Sequence, residues 1–161
     1  MHARRPGFSL VELATVVAIM AILAAIAMPR MAAAAARRNL DAEVQRLVAD
    51  LRHAQQHALA SSANVSVTFN TDSESYSVDA PDPISGAASY VVDLSAGSTN
   101  ADLLSTTLPA GVATFDANGL CTTSGSIRLS VGGFRRVVTI TAGSLAIDTG
   151  TTTYVAVVEA L

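Results

Sequence analysis

Two of the three histidines and the single cysteine are side chains of the types that bind metal ions or act as nucleophiles. His53 and His57 are four residues apart, so on a helix they would share one face, as paired zinc ligands do. The metalloprotease pattern needs glutamate directly after the first histidine, where this chain has Ala54, and the sequence offers no third ligand. Cys121 has no histidine motif near it. We predict no metal site, no cofactor and no catalytic residue, with both histidines facing solvent beside an apolar stripe.

One carboxylate, Glu12, lies at the start of a long apolar segment. From Leu13 to Met28 the chain carries no charged residue. A carboxylate in a membrane span costs about 2.5–3.5 kcal/mol at the bilayer centre and less near its edge, so it marks a function and needs a positive partner. Glu12 is therefore a candidate functional residue. The alternative is that it pairs with its own N-terminus or lies among the lipid headgroups.

The opening of the chain has a distinctive order of residues, which reads Arg4-Arg5-Pro6-Gly7-Phe8-Ser9-Leu10-Val11-Glu12-Leu13. It resembles the type III signal of type IV prepilins and type II secretion pseudopilins. The resemblance implies that prepilin peptidase cleaves between Gly7 and Phe8, removes the leader 1–7 and methylates the new amine of Phe8. It also implies that Glu12 accepts the amine of a neighbouring subunit during assembly.

An ordinary secretory signal is the competing interpretation of the same segment. Residues 1–27 could end at an Ala25-Ile26-Ala27 cleavage site and release a soluble periplasmic protein that starts at Met28. Against it are the charge of Glu12 inside the apolar region and the helical pattern that continues past the cleavage site.

The first 60 residues predict one long helix with a bend. Residues 8–28 would span roughly 31 Å at about 1.5 Å per residue, close to the ~30 Å hydrocarbon core of a bilayer. Pro29 removes a backbone donor and predicts a kink at the membrane surface. Residues 29–60 predict an amphipathic half, whose apolar face would carry Leu40, Val44, Leu47, Leu51, Ala54 and Ala58. The opposite surface would carry Arg37, Arg38, Asp41, Glu43, Arg46, Asp50 and Arg52.

The composition changes near Ser61 from helix formers to strand and turn formers. Gly132-Gly133 predicts a tight hairpin between two strands. We expect an α+β fold in which 61–161 form an antiparallel meander or a small sandwich against the amphipathic helix. The predicted strands are Val65–Phe69, Ser75–Asp79, Ser89–Leu94, Leu103–Leu108, Val112–Phe115, Ser126–Val131, Phe134–Thr141, Ser144–Asp148 and Thr152–Val158.

Three further stretches resemble the GspH/FimT domain. Arg46–Ala60 followed by Val65–Phe69 resembles its start, and Phe115–Gly119 and Gly133–Gly143 resemble its closing strands, although Ser144 stands where an arginine is usual. The resemblance implies a pilin-like fold and a structural, non-enzymatic minor subunit of a type II secretion pseudopilus, with other pseudopilins as partners. It also implies an inner-membrane anchor and a periplasmic domain. A minor type IV pilin is the alternative, and the sequence does not separate the two.

The charge distribution disfavours DNA binding. The chain has a net charge of −3, and within 61–161 only Arg128, Arg135 and Arg136 are basic, against nine acidic residues. Arg135 and Arg136 are neighbours in one predicted strand, so they would face opposite sides, and we expect both to be solvated. The same charges leave the orientation of the span open, because arginines occur on both sides of it.

Overall fold

The computed structural model describes residues 9–96, 99–143 and 147–148, without the side chains of 26–29 and 147–148. The predicted leader 1–7, Phe8 and the predicted strand Thr152–Val158 lie outside the described residues. The chain divides into two compact units, Met1–Ala35 and Ala36–Leu161.

A single helix, α1 (Leu10–Ser61), confirms the predicted long helix. Its backbone is helical through Pro29, and the kink at that position stays a prediction. The helix ends in a left-handed residue, Ser62 with φ 51°, after which the amide of Ala63 donates to the carbonyl of Ala58 at 3.3 Å. This is the six-to-one hydrogen bond of a Schellman motif, and it turns the chain directly into the first strand.

The second unit contains two antiparallel four-stranded sheets. Their strands are β1 (Val65–Asn70), β2 (Ser75–Val78), β3 (Tyr90–Asp93), β4 (Asp102–Thr106), β5 (Val112–Phe115), β6 (Gly125–Val131), β7 (Phe134–Ile140) and β8 (Ile147–Asp148). The first has the order β3-β2-β1-β5 and the second β4-β6-β7-β8, so of the two arrangements expected from the sequence, a meander or a small sandwich, the one with two sheets is present. The chain changes sheet three times, because β4 pairs with β6 in the second sheet while β5, which lies between them in the sequence, returns to β1 in the first.

The predicted strand Leu103–Leu108 ends two residues earlier than expected, whereas the other predicted strands between Val65 and Thr141 have bounds within one residue of the prediction. The expected strand Leu103–Leu108 is β4, Asp102–Thr106, because Leu108 precedes Pro109 and the chain enters a short 3-10 turn, Pro109–Gly111. Proline has no backbone donor for a sheet ladder, so the pairing stops before it.

The helix and both sheets share one hydrophobic core. All six predicted apolar positions of α1 are buried, and none is more than 3% exposed. They pack in one cluster with the inward-facing residues of the strands. The strand residues that are at most 1% exposed include Val67, Tyr76, Val78, Ala113, Phe115, Ile127, Leu129 and Val138.

The predicted Gly132-Gly133 hairpin is confirmed. Val131 and Phe134 pair across it, and the two glycines have φ values of 56° and 84°. A β-carbon at Gly132 would lie 2.9 Å from that of Ala36, so glycine is needed there for space as well as for backbone conformation.

Two charged residues expected at the solvated surface are buried or half-buried instead. Glu43 is only 7% exposed and accepts a hydrogen bond from the hydroxyl of Thr99. The side chain of Arg136 is 16% exposed and forms an ion pair with Asp41, with 2.5 Å between Nη2 and Oδ1. The prediction was wrong for both because sheets and loops cover a wider face of α1 than the apolar stripe alone indicates.

Candidate assembly surface

The N-terminal part of α1 exposes its apolar side chains. Described residues before position 26 are all solvent-exposed in the single chain, including Leu10 at 83% and Met20 at 65%. By length and composition this helix could cross a membrane, with a mean hydropathy of 2.6 over its most apolar window and none of that window buried. Such a surface is stable only in an apolar environment, which a bilayer or a bundle of similar helices provides.

Glu12 lies in the first turn of this apolar surface and is exposed. The hydroxyl of Thr15 donates to its backbone carbonyl at 2.8 Å. Its carboxylate stands at the N-terminal end of the helix, where the dipole favours negative charge. Within the described residues no basic side chain forms an ion pair with it. Gly7 and Phe8, the predicted cleavage and methylation residues, lie outside the described residues, so the amine partner of Glu12 stays a prediction.

In the second unit, Asp50 joins the helix to the first sheet. The hydroxyl of Tyr76 on β2 donates to one oxygen of Asp50 at 2.5 Å, and the hydroxyl of Tyr90 on β3 donates to the other at 3.0 Å. Burial raises the pKa of Tyr76 well above its ordinary value, and the hydrogen bond to Asp50 adds to the shift. Burial also raises the pKa of Tyr90, and the negative charge of Asp50 is the second cause of that shift.

This cluster was not predicted from the sequence, because Tyr76 and Tyr90 lie 26 and 40 positions from Asp50 in the chain. A signal was available: Tyr76 has the same alternation as the buried strand residues, and a buried tyrosine hydroxyl needs a partner. Asp50 beside the apolar stripe is such a partner.

His53 is held by the loop that precedes β3. Its Nε2 lies 2.8 Å from the carbonyl oxygen of Pro81, and its ring is 6.5 Å from that of Tyr90. Both His53 and His57 are half-buried, so they are less exposed than the solvent-facing positions that we expected. In the part of the chain that the structure describes, no three metal-binding side chains come together.

The same loop carries an exposed carboxylate whose charged form is stabilised. Asp82 accepts hydrogen bonds from the hydroxyl of Ser85 at 2.5 Å and the amide of Ile84 at 2.9 Å. These bonds lower the pKa of Asp82, with the hydroxyl of Ser85 contributing most.

Cys121 is buried, which answers a question that the sequence left open. The residue is 2% exposed, and its Sγ donates to the carbonyl of Thr123 at 3.2 Å. A thiol in this position packs as a small apolar side chain.

Replacing Asp50 with alanine is expected to destabilise the second unit by about 2–3 kcal/mol, since two hydroxyls lose a charged acceptor and one of them is almost fully buried. Urea unfolding of the full chain in detergent, followed by circular dichroism, measures the change. The matched control is Asp72→Ala, which removes an exposed carboxylate from the turn between β1 and β2. Equal stability of the two variants would contradict the role given to Asp50.

The raised pKa of Tyr76 predicts loss of stability in alkali. The unfolded chain releases this proton near the ordinary tyrosine value of 10.0, whereas the folded chain keeps it. The free energy of unfolding is therefore unaffected below pH 10 and falls above it, by up to about 1.4 kcal/mol per pH unit for each such group. Urea unfolding at several pH values tests this, and Tyr76→Phe should show a shallower decline. An identical decline in the Tyr76→Phe variant would show that a group other than Tyr76 causes the loss of stability.

The fold is shared with a solved pilin. One crystal form of the type IV minor pilin FimU from Pseudomonas aeruginosa superposes with a TM-score of 0.52 at 21% identity, covering 71% of this chain and 90% of that chain. A second crystal form gives a TM-score of 0.50 at 23% identity, covering 70% of this chain and 93% of that chain. The predicted pilin-like fold, a long helix packed on antiparallel sheets, is thereby confirmed.

Two protein-family models match the sequence, whereas a comparison with curated proteins gives no match. Residues 2–28 match the prokaryotic N-terminal methylation motif, which agrees with the leader resemblance. Residues 43–154, more than half of the chain, match the model described as Type II transport protein GspH. The long helix, the two sheets and these matches together show that the chain belongs to the GspH family.

Proposed function

We propose that this protein is a structural, non-enzymatic minor subunit of a type II secretion pseudopilus. Prepilin peptidase cleaves it after Gly7 and methylates Phe8, and residues 8–28 then anchor it in the inner membrane with the folded domain in the periplasm. The observation that carries the proposal is the run of exposed apolar side chains on α1 before position 26, with one carboxylate in the first turn of a helix that continues along the chain into a GspH-family domain.

Assembly would bring the exposed helices of several subunits together. Each helix would exchange lipid for the apolar surface of its neighbours, so the cost of leaving the bilayer is small. The carboxylate of Glu12 would accept the methylated amine of Phe8 from an adjacent subunit. That pair neutralises both charges inside an apolar bundle and fixes the register of one subunit against the next.

Mass spectrometry of the mature chain from its own cells tests the processing step. A methylated N-terminus at Phe8 supports the proposal. An unmethylated N-terminus at Met28 would overturn it in favour of a secretory signal and a soluble periplasmic protein.

A minor type IV pilin is the second candidate, favoured by the fold likeness to FimU. Cross-linking in the native cells, followed by purification of the chain and identification of its neighbours, distinguishes the two. Pseudopilins and the secretin of a type II system support the first candidate, whereas pilins and retraction proteins support the second. Recovery of neither set would contradict both.

A further inference from the structure

One edge of the first sheet is open among the described residues. Strand β3 pairs with β2 on one side and ends the sheet on the other. The amide of Leu94 donates at 3.0 Å to a carbonyl of the turn before β2, so in this ladder Tyr90 and Val92 are the residues that exchange hydrogen bonds with β2. The backbone groups of Val91 and Asp93 therefore point away from β2. Such unpaired groups are a template for an additional strand.

The loop before β3 is held in place by hydrogen bonds. The amide of Asp82 donates to the carbonyl of Ala87 at 2.8 Å, and its carbonyl accepts from the amide of Gly86 at 2.9 Å. Its side chain receives two further bonds from within the loop, and His53 contacts the residue before it. This ordered loop leaves the side chain of Ile84 96% exposed. An apolar side chain that the fold already holds in position loses little freedom on binding, so it is suited to anchor a partner.

A cleft of about 270 Å³ lies beside the open edge of β3. Its apolar lining includes Ile84 and Val91, and Val91 is 69% exposed. Its charged lining is Arg46 and Asp50 on α1 and Asp82 in the loop, one positive and two negative groups. The volume is below the roughly 300–1,000 Å³ of pockets that enclose small molecules. The cleft therefore suits a side chain of a larger partner.

The charge around the cleft favours a basic partner. Between Ser61 and Ile127 the sequence has no arginine or lysine. Asp82 lines the cleft, and Asp93 is the last residue of β3. Hydrogen bonds lower the pKa of both carboxyl groups, and serine hydroxyls two or three residues further along the chain contribute most. Both groups are therefore ionised at neutral pH, and within the described residues neither forms an ion pair.

We propose that the open edge of β3 binds an extended, basic segment of another protein, which adds as a further strand and places an apolar side chain in the cleft. The backbone of Val91 and Asp93 would form the main-chain hydrogen bonds, and alternate side chains of the segment would give specificity. Ile84 and Val91 would contact the apolar side chain, and lysine or arginine beside it would lie near Asp82 or Asp93. The contact needs only the folded second unit, so it holds for a pseudopilus and for a pilus alike.

Amide hydrogen exchange tests the added strand residue by residue. The full chain in non-ionic detergent is mixed with an end-blocked heptapeptide of alternating lysine and valine, and exchange is followed by nuclear magnetic resonance. The amides of Val91 and Asp93 should exchange about tenfold more slowly at about ten times the dissociation constant. Those of Tyr90 and Val92 already bond to β2 and should change little. The peptide with glutamate in place of lysine should give no protection, and salt should weaken the effect of the lysine peptide.

Two variants test the edge and the cleft separately. Val91→Pro removes an amide that faces away from β2, which edge strands tolerate, and it should abolish the protection of Asp93. Ile84→Ser changes an exposed side chain, so the fold should persist while affinity for the lysine peptide falls by about tenfold, the effect of losing the burial of one apolar side chain. Val137→Thr is the matched control, because it changes an exposed valine of the second sheet, and it should bind like the parent chain.

Three results would overturn the inference. The first is the absence of protection at Val91 with about 1 mM lysine peptide, where a complex with a millimolar dissociation constant is half formed. The second is equal protection by the lysine and glutamate peptides, which would contradict a basic partner. The third is protection that needs no peptide and grows with the concentration of the chain, which would identify a second copy as the occupant.

Discussion

The Glu12→Ala variant is expected to be processed and held in the membrane, yet absent from assembled filaments. The substitution removes the only charge in the first turns of α1, so insertion into the bilayer should be at least as favourable as before. Leader cleavage depends on Gly7 and the apolar run, so it should persist. Incorporation should fail, because the amine of Phe8 on a neighbouring subunit would be left unpaired in an apolar bundle.

Shearing filaments or cross-linking pseudopilin complexes measures incorporation directly. We expect depletion of at least about tenfold, the effect of losing roughly 1.4 kcal/mol of pairing energy. Glu12→Gln keeps the size of the side chain but not its charge, and should fail in the same way. Thr15→Val is the matched control, since it changes a polar residue one turn away and leaves the carboxylate intact. Normal assembly of Glu12→Ala would leave the helix as an anchor without an intersubunit pair.

Substituting Gly7 with leucine should block processing almost completely. The resemblance places Gly7 immediately before the cleaved bond, and a bulky side chain there would not fit a peptidase site built around glycine. We expect the variant to retain residues 1–7, which adds measurable mass and leaves Phe8 without a free amine. With no amine at Phe8, assembly should fail as well, although Glu12 is intact.

Mass spectrometry of membrane fractions separates the two forms. Pro6→Ala is the control, because it changes a leader residue that does not flank the cleaved bond. A mature chain that still begins at Phe8 in Gly7→Leu would refute the leader interpretation. Together the two variants distinguish a missing amine at Phe8 from a missing carboxylate at position 12, although in both cases the filaments would lack this subunit.

Local signals predicted the parts of this fold that depend on neighbouring residues. The apolar stripe of α1 and the Gly132-Gly133 hairpin follow from spacing along a few turns or a few residues, and both are confirmed. The choice between a meander and a small sandwich stayed open in the sequence because it depends on β5 returning to β1 across a long stretch of chain. The burial of Arg136 was missed because its partner, Asp41, lies 95 positions away.

The same reasoning explains what could be predicted of the candidate site. Glu12 stands out in the sequence because a charge inside an apolar run is costly wherever the chain folds. The cluster of Asp50, Tyr76 and Tyr90 involves three elements that only the folded unit brings together. The alternation of β2 indicates that the hydroxyl of Tyr76 is buried and needs a partner, but no local pattern identifies Asp50 as that partner or Tyr90 as the second donor.

The division of α1 between two units has a consequence for how the sequence can vary. Residues that pack in the core begin at Ala36 and continue through Ala58, so this half must keep its side-chain volumes. The half before it has exposed side chains, and in the proposed function it would face lipid or other helices, where many apolar residues are interchangeable. Substitutions should therefore accumulate faster among the residues before Ala36 than among those after it, except at Glu12. A chimera that takes a related subunit up to Ala35 and this chain from Ala36 should keep its fold while exchanging its filament neighbours.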